Sequence, residues 1–172
     1  VAASAIGMDK HFMKLAFQAA GLEVGPYTVV HDRTWRTDPQ GVHRAVAELG
    51  FPVFVKPARA GSSFGITRVD DPSGLDAAIE TAREHDRKLV IEAGIDGREI
   101  ECAVLGGHGT DDARASLPGE IEVQGHAFYD FEAKYLEDDG AALSCPAKLP
   151  EDVIDTLRRE AVRAFHAVDG EG

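Results

Sequence analysis

Several things are scarce in this chain. Two cysteines, Cys102 and Cys145, are too few for a disulfide framework, and their apolar or proline-bounded settings predict two reduced, partly buried thiols rather than a catalytic cysteine. No apolar run approaches the roughly 20 residues that span a bilayer, and no basic segment followed by a short apolar one marks a secretory signal. A cytoplasmic location without membrane contact is the expectation. Basic residues are outnumbered, 18 against 30 acidic, for a net charge of -12, so the global field repels nucleic acid. An anionic ligand must therefore be held by a few local cations, which makes individual lysines informative. Internal repeats and low-complexity tracts are absent too, as are a CxxC pair and a Ser/His/Asp order with a supporting elbow. The Gly-rich GGHGTDD turn with His108, Asp111 and Asp112 needs no metal to explain it, so no metal ligands are expected in this stretch. The first residue is Val1 and the last, Gly172, follows a strong helix, which suggests an internal segment of something longer.

What is present, 172 residues at 44% hydrophobic, can bury the core of one large domain or of one domain and part of another. Asp9 can cap a helix carrying Phe12, Leu15, Ala16 and Ala19 at helical spacing, with Gly21 at its end. Tyr27 to Val30 reads as a strand. Asp38-Pro39 opens a helix with Val42, Ala45, Val46 and Leu49 on one face, and Pro52 to Lys56 is the next strand. Ile66 to Val69 is extended, Asp71-Pro72 starts a helix with Leu75, Ala78, Ile79 and Ala82 inward, and Lys88 to Glu92 returns as a strand. Beyond Arg98 the alternation in REIECAVL and EIEVQ predicts antiparallel sheet, and a last helix carries Ile154, Leu157, Ala161 and Phe165. The fold class is α+β.

Function falls to the loops. FVKPARAGSSFG, Phe54 to Gly65, lies between two strands, so no helix N-terminus is available to hold an anion, and GxxxxGK[ST] is absent. Gly61, Ser62, Ser63 and Gly65 offer backbone N–H groups and two hydroxyls, and Lys56 ends an apolar strand where a solvated charge would be awkward. A phosphate fits this description; a flexible hairpin with a solvated lysine is the alternative. Lys10 stands in the first turn of a helix, where the macrodipole disfavours cations. Glu92 and Glu99 flank the turn Ala93 to Gly97, a plausible seat for a ring edge and a diol. FYDFEAKY, Phe128 to Tyr135, puts aromatics and Lys134 in a long loop of the kind that serves as a lid.

MDK (Met8 to Lys10), FPVFVKPARAGSSFG (Phe51 to Gly65), VIEAGIDGREIECAVL (Val90 to Leu105) and FYDFEAKY with the later CPAKL together resemble the D-alanine–D-alanine ligases of the ATP-grasp superfamily. The resemblance implies a central ATP-grasp subdomain over residues 1–94 and the start of the C-terminal one over 95–172, including an omega loop near 125–146. It assigns Lys10 and Lys56 to the nucleotide phosphates, with Ser62 and Ser63 in the loop that closes over them. Glu92, Ala93, Gly94 and Ile95 match the hinge that meets adenine, Glu99 matches the acid on the ribose hydroxyls, and Lys134 lies near the nucleotide. Tyr135 with Ser62 would close the D-alanine site. ATP and Mg²⁺ are the implied cofactors, D-alanine the substrate, and a homodimer the implied assembly of the full-length protein. In such enzymes ATP phosphorylates one D-alanine carboxylate and the amine of a second attacks the acyl phosphate. The family's metal ligands and oxyanion arginine have no match in this stretch, which alone should not catalyse ligation. A D-alanine–D-lactate or D-alanine–D-serine ligase, or a non-catalytic nucleotide-binding module, would share these features.

Overall fold

The computed structural model describes residues 1–109, 111–123 and 141–171. Its contacts divide the chain into two compact units, one formed by residues 8–11 and 25–96, the other by residues 1–7, 12–24 and 97–172.

The first of these is a four-stranded, wholly antiparallel sheet with helices. Its strands are β1 (Tyr27–His31), β2 (Val53–Pro57), β3 (Thr67–Val69) and β4 (Lys88–Ala93), in the order β1-β4-β2-β3. The register pairs Phe54 with Glu92, Val55 with Ile91 and Lys56 with Val90. Directly paired residues share a face, so Val53, Val55, Pro57, Leu89 and Ile91 turn one way while Phe54, Lys56, Lys88, Val90 and Glu92 turn the other.

The first face is the core. Val30, Val53, Val55, Val69, Leu89 and Ile91 pack with Trp35 of α3 (Asp32–Thr37), Val42 and Val46 of α4 (Pro39–Leu49), and Leu75, Ala78, Ile79 and Ala82 of α5 (Leu75–Arg83). The helix starts follow their predicted chemistry. Asp38 accepts from the Gly41 amide at 2.8 Å with Pro39 in the first turn. Asp71 accepts from Ser73 N at 2.8 Å but caps a 3₁₀ turn, Pro72–Gly74, that leads into α5. The six-residue α3 is too short to show an apolar period; its Trp35 Nε1 donates to Glu80 at 2.7 Å.

The other unit holds a three-stranded antiparallel sheet of β5 (Glu99–Glu101), β8 (Gly119–Val123) and β9 (Ala141–Ser144), in the order β5-β8-β9. It also holds the two-stranded hairpin β6 (Val104–Leu105) with β7 (Arg114–Ala115), and the helices α1 (Ala2–Gly7) and α6 (Glu151–Ala167). Arg98 forks onto Glu120, its Nε and Nη2 each 2.6 Å from a carboxylate oxygen, and so ties the start of β5 to β8. Helix α2 (Lys10–Ala19) is capped at its start by Asp9, which accepts from His11 N at 3.0 Å. Gly21 follows it with φ +76°, as the terminating residue requires.

Two packing expectations fail. Phe12 and Leu15 are 54% and 43% exposed, and the half-buried side of α2 carries Met13 and Phe17 instead. Cys102 is partly buried as expected, but Cys145 is exposed; both are free thiols.

Because Ile79 is wholly buried between α5 and the sheet, Ile79→Ala should cost about 2–5 kcal/mol in urea unfolding of the intact protein.

Candidate functional site

The face of the four-stranded sheet turned away from the core carries the predicted lysine. Lys56 lies diagonally across from Glu92 in the β2–β4 ladder, and its Nζ donates to Glu92 Oε2 at 2.6 Å. Both side chains are about one-fifth exposed, and the ammonium lies 5.6 Å from the centre of the Phe54 ring. Lys56 is thus aimed by a carboxylate from the next strand.

Lys10 is brought to the same region by main-chain contacts. Its N–H donates to Ala58 O at 2.9 Å, and its Nζ donates to Pro57 O at 3.1 Å and Ala60 O at 2.6 Å. The ammonium therefore sits at the entry of the glycine-serine loop. Burial, and next the neighbouring Lys56 ammonium, lower the Lys10 pKa from its ordinary value, with Glu92 opposing. The carboxylates of Glu92, Asp86 and Asp9 all act on the Lys10 ammonium against the Lys56 charge.

The loop itself is pinned at both ends. Arg59 donates from its backbone N (3.0 Å) and Nε (2.9 Å) to Asp86 Oδ2, and Nη2 reaches the other carboxylate oxygen. At the far end Phe64 meets the His85 ring edge-on, with centroids 4.8 Å apart. Gly65, at φ +70°, has no room for a side chain, since a Cβ would come 2.4 Å from the His85 ring and 3.0 Å from Pro57. Between these anchors Ser62 and Ser63 both adopt positive φ, 49° and 56°, an uncommon state for residues with a Cβ. Phe64 N and Ile66 N donate to Gly61 O and Ser63 O, so the loop is two successive tight turns.

Of the residues assigned to the adenine hinge, Glu92 and Ala93 end β4, and Gly94 and Ile95 follow it. Ala93 N donates to Pro26 O at 3.0 Å and Gly94 N to Pro52 O at 2.8 Å. A Cβ on Gly94 would lie 2.9 Å from Pro52 O, so the close approach requires glycine. Ile95 is 73% exposed, its tip over Gly25. The Glu92 carboxylate contacts Lys56, a link its assignment to adenine did not foresee. Glu99 is exposed on β5 of the other unit. Lys134 and Tyr135 lie outside the described residues, as does most of the omega loop. Among the described residues no group of three or more His, Cys, Asp or Glu side chains could hold a metal ion, and no helix is long and apolar enough to cross a membrane.

Sequence reasoning missed two residues that build the site. In the sequence Asp9 signals a helix cap and Lys88 the start of a strand. They form a buried ion pair, Lys88 Nζ lying 2.9 and 3.0 Å from the two Asp9 oxygens. The available signal was strand parity, which puts Lys88 on the face of Val90 and Glu92.

Antiparallel sheets with packed helices, and a pair of lysines beside a glycine-serine hairpin, characterise the described residues. The model of the family described as D-ala D-ala ligase C-terminus matches residues 16–172, and the chain belongs to that family. It is 90% identical over 172 residues to a D-alanine–D-alanine ligase of Kocuria rhizophila, covering all of this chain and 45% of that protein. It is 66% identical over 174 residues to the corresponding ligase of Pseudarthrobacter chlorophenolicus, again over 100% of this chain and 46% of the relative. Among solved structures, the VanG D-Ala:D-Ser ligase of Enterococcus faecalis matches with a TM-score of 0.81 and 34% identity, over 97% of this chain and 46% of that one. The D-alanine-D-alanine ligase of Coxiella burnetii matches with a TM-score of 0.77 and 29% identity, over 98% and 42%. The neighbours bear out the ATP-grasp α+β fold. The chain spans less than half the length of these relatives.

Asp86 supplies a pH test. Burial raises its pKa, but the Arg59 guanidinium and the amides of Lys88 and Arg59 outweigh burial, and the net shift is downward. A depressed carboxyl pKa stabilises the fold above the unfolded value and ceases to do so as pH falls through the folded one. Hydrogen exchange should find the Arg59 amide protected down to the ordinary aspartate value of about 3.9 and losing protection below it.

Proposed function

We propose that this chain supplies most of the ATP site of an ATP-dependent ligase that joins two D-alanine molecules into the dipeptide used for peptidoglycan precursors. The observation that carries the reading is the meeting of Lys10 and Lys56 at the end of β2, where the loop that carries Ser62 and Ser63 begins. Transfer of a phosphoryl group depends mainly on positioning and on neutralising oxygen charge. Lys10 and Lys56 do that for the nucleotide phosphates, with Glu92 holding the Lys56 ammonium in line. Ser62 and Ser63 add hydroxyl donors. Glu92 through Ile95 form the wall against adenine, and Glu99 accepts from the ribose hydroxyls. Lys134 near the nucleotide and Tyr135 beside Ser62 complete the D-alanine side, where a closed lid keeps water from the acyl phosphate. Residues 1–94 and 95–172 act as the two ATP-grasp subdomains.

Mg²⁺ accompanies ATP in this reading, and the described residues contain no group of three or more His, Cys, Asp or Glu side chains to hold it. The enzyme is cytoplasmic and dimeric in this reading.

A ligase using D-serine as its second substrate is the other reading to weigh, because a D-Ala:D-Ser ligase is among the structural neighbours. With the full-length protein, D-alanine should stimulate phosphate release from ATP with formation of D-alanyl-D-alanine, and D-serine or D-lactate should be poorer acceptors. Turnover of ATP indifferent to D-alanine contradicts the proposal; preferential use of D-serine favours the other reading.

The lowered Lys10 pKa gives a second test. A bound polyphosphate raises that pKa again, so ATP binding on the acid side of the ordinary lysine pKa should take up protons, increasingly as pH rises toward that value. Titration calorimetry in two buffers of different ionisation enthalpy measures the uptake, which should vanish in Lys10→Ala.

A further inference from the structure

We propose that the buried pair Asp9–Lys88 is a positioning device for Lys10, fixing where that ammonium meets the nucleotide phosphates; this rests on the nucleotide reading of Lys10.

Asp9 and Lys88 are 5% and 7% exposed and stand 79 positions apart in sequence. Lys88 Nζ contacts both Asp9 oxygens, and one of them also accepts from His11 N, so the same carboxylate caps α2 and takes the charge of Lys88. Lys88 simultaneously reaches the exit of β2: its carbonyl accepts from Ala58 N at 2.9 Å, and Ala58 O accepts from Lys10 N at 2.9 Å. Its own N–H donates to Asp86 Oδ1 at 3.1 Å, on the carboxylate that anchors Arg59. Thus one residue of β4 grips the helix start by its side chain and the phosphate strand by its main chain. Lys10 lies where the two grips meet.

Stability alone is a weak reason for such a pair. Two charges withdrawn from water lose hydration that their mutual attraction only partly returns, and well-packed apolar residues often serve as well. A fixed register is what an apolar pair would not provide. Lys10 needs it, since the first turn of a helix disfavours a cation and burial disfavours its charged form. Without the pair, the start of α2 could rotate and carry the ammonium away from Ala60.

The test uses the full-length protein and four variants: Lys88→Met, Asp9→Asn, the double variant, and Lys10→Ala. ATP affinity is read by calorimetry, KM for ATP and for D-alanine by steady-state kinetics, and folding by thermal melting. Lys88→Met should weaken ATP roughly tenfold or more while leaving the KM for D-alanine unchanged, as expected for a displaced positioning group. Adding Asp9→Asn removes the uncompensated carboxylate but keeps a helix cap, so the double variant should recover melting temperature without recovering ATP affinity. A pair that serves only the fold would recover both, and that result overturns the proposal; so does unchanged ATP affinity in the folded double variant. If Lys10→Ala weakens ATP and the pair variants do not, the positioning role falls and the nucleotide reading stands. If Lys10→Ala leaves ATP affinity untouched, the nucleotide reading itself falls.

Discussion

The antiparallel register of β2 against β4 is the constraint on which the rest of the first unit depends. Pairing Val55 with Ile91 and Lys56 with Val90 sends alternate residues to opposite faces. One face then receives the valines, leucine and isoleucine that pack against α4 and α5; the other receives Lys56, Lys88 and Glu92. A one-residue slip of β2 would turn Lys56 toward the helices and expose Val55, and one of β4 would do the same to Glu92 and Ile91, so the hydrophobic core and the charged site enforce the same register. The core therefore determines the geometry of the site before any ligand contributes.

On that charged face the protein concentrates scarce cations against its net charge of -12. Each is held differently. Lys56 is aimed by Glu92, Lys10 by loop carbonyls, and Lys88 is neutralised inside the fold by Asp9. The division matters chemically. Lys56 keeps partial exposure and Lys10 has a lowered pKa, whereas Lys88 is nearly sealed. Arg59 and Asp86 at one end of the glycine-serine loop, and Phe64 and His85 at the other, leave the intervening serines in an unusual backbone state without freeing the ends.

Local signals were legible in the sequence where the physics is local. Asp38-Pro39 and Asp71-Pro72 announce helix starts, Gly21 a helix end, and VFVKP with GSSFG a strand and a hairpin loop, because caps, turns and strand parity act within a few residues. The lysines of the site were found by their awkward positions, Lys56 after an apolar strand and Lys10 in a helix's first turn. What escaped was either too short or too distant. Helices α1 and α3, six residues each, and the two-residue β7 carry no period to detect. The Asp9–Lys88 pair and the Lys56–Glu92 link join residues 79 and 36 positions apart, which no window on the sequence contains. The exposure of Phe12, Leu15 and Cys145 marks the converse limit, since apolar spacing predicts a helix without saying what covers it.

In the proposed reading the end of β2 holds nucleotide phosphates between Lys10 and Lys56. A crystal structure of the full-length protein with a non-hydrolysable ATP analogue tests it most directly. The account predicts phosphate oxygens within hydrogen-bonding distance of both ammonium groups, with the Ser62–Ser63 turn closed over them and the β2–β4 register unchanged. An analogue bound with its phosphates clear of both lysines would contradict it.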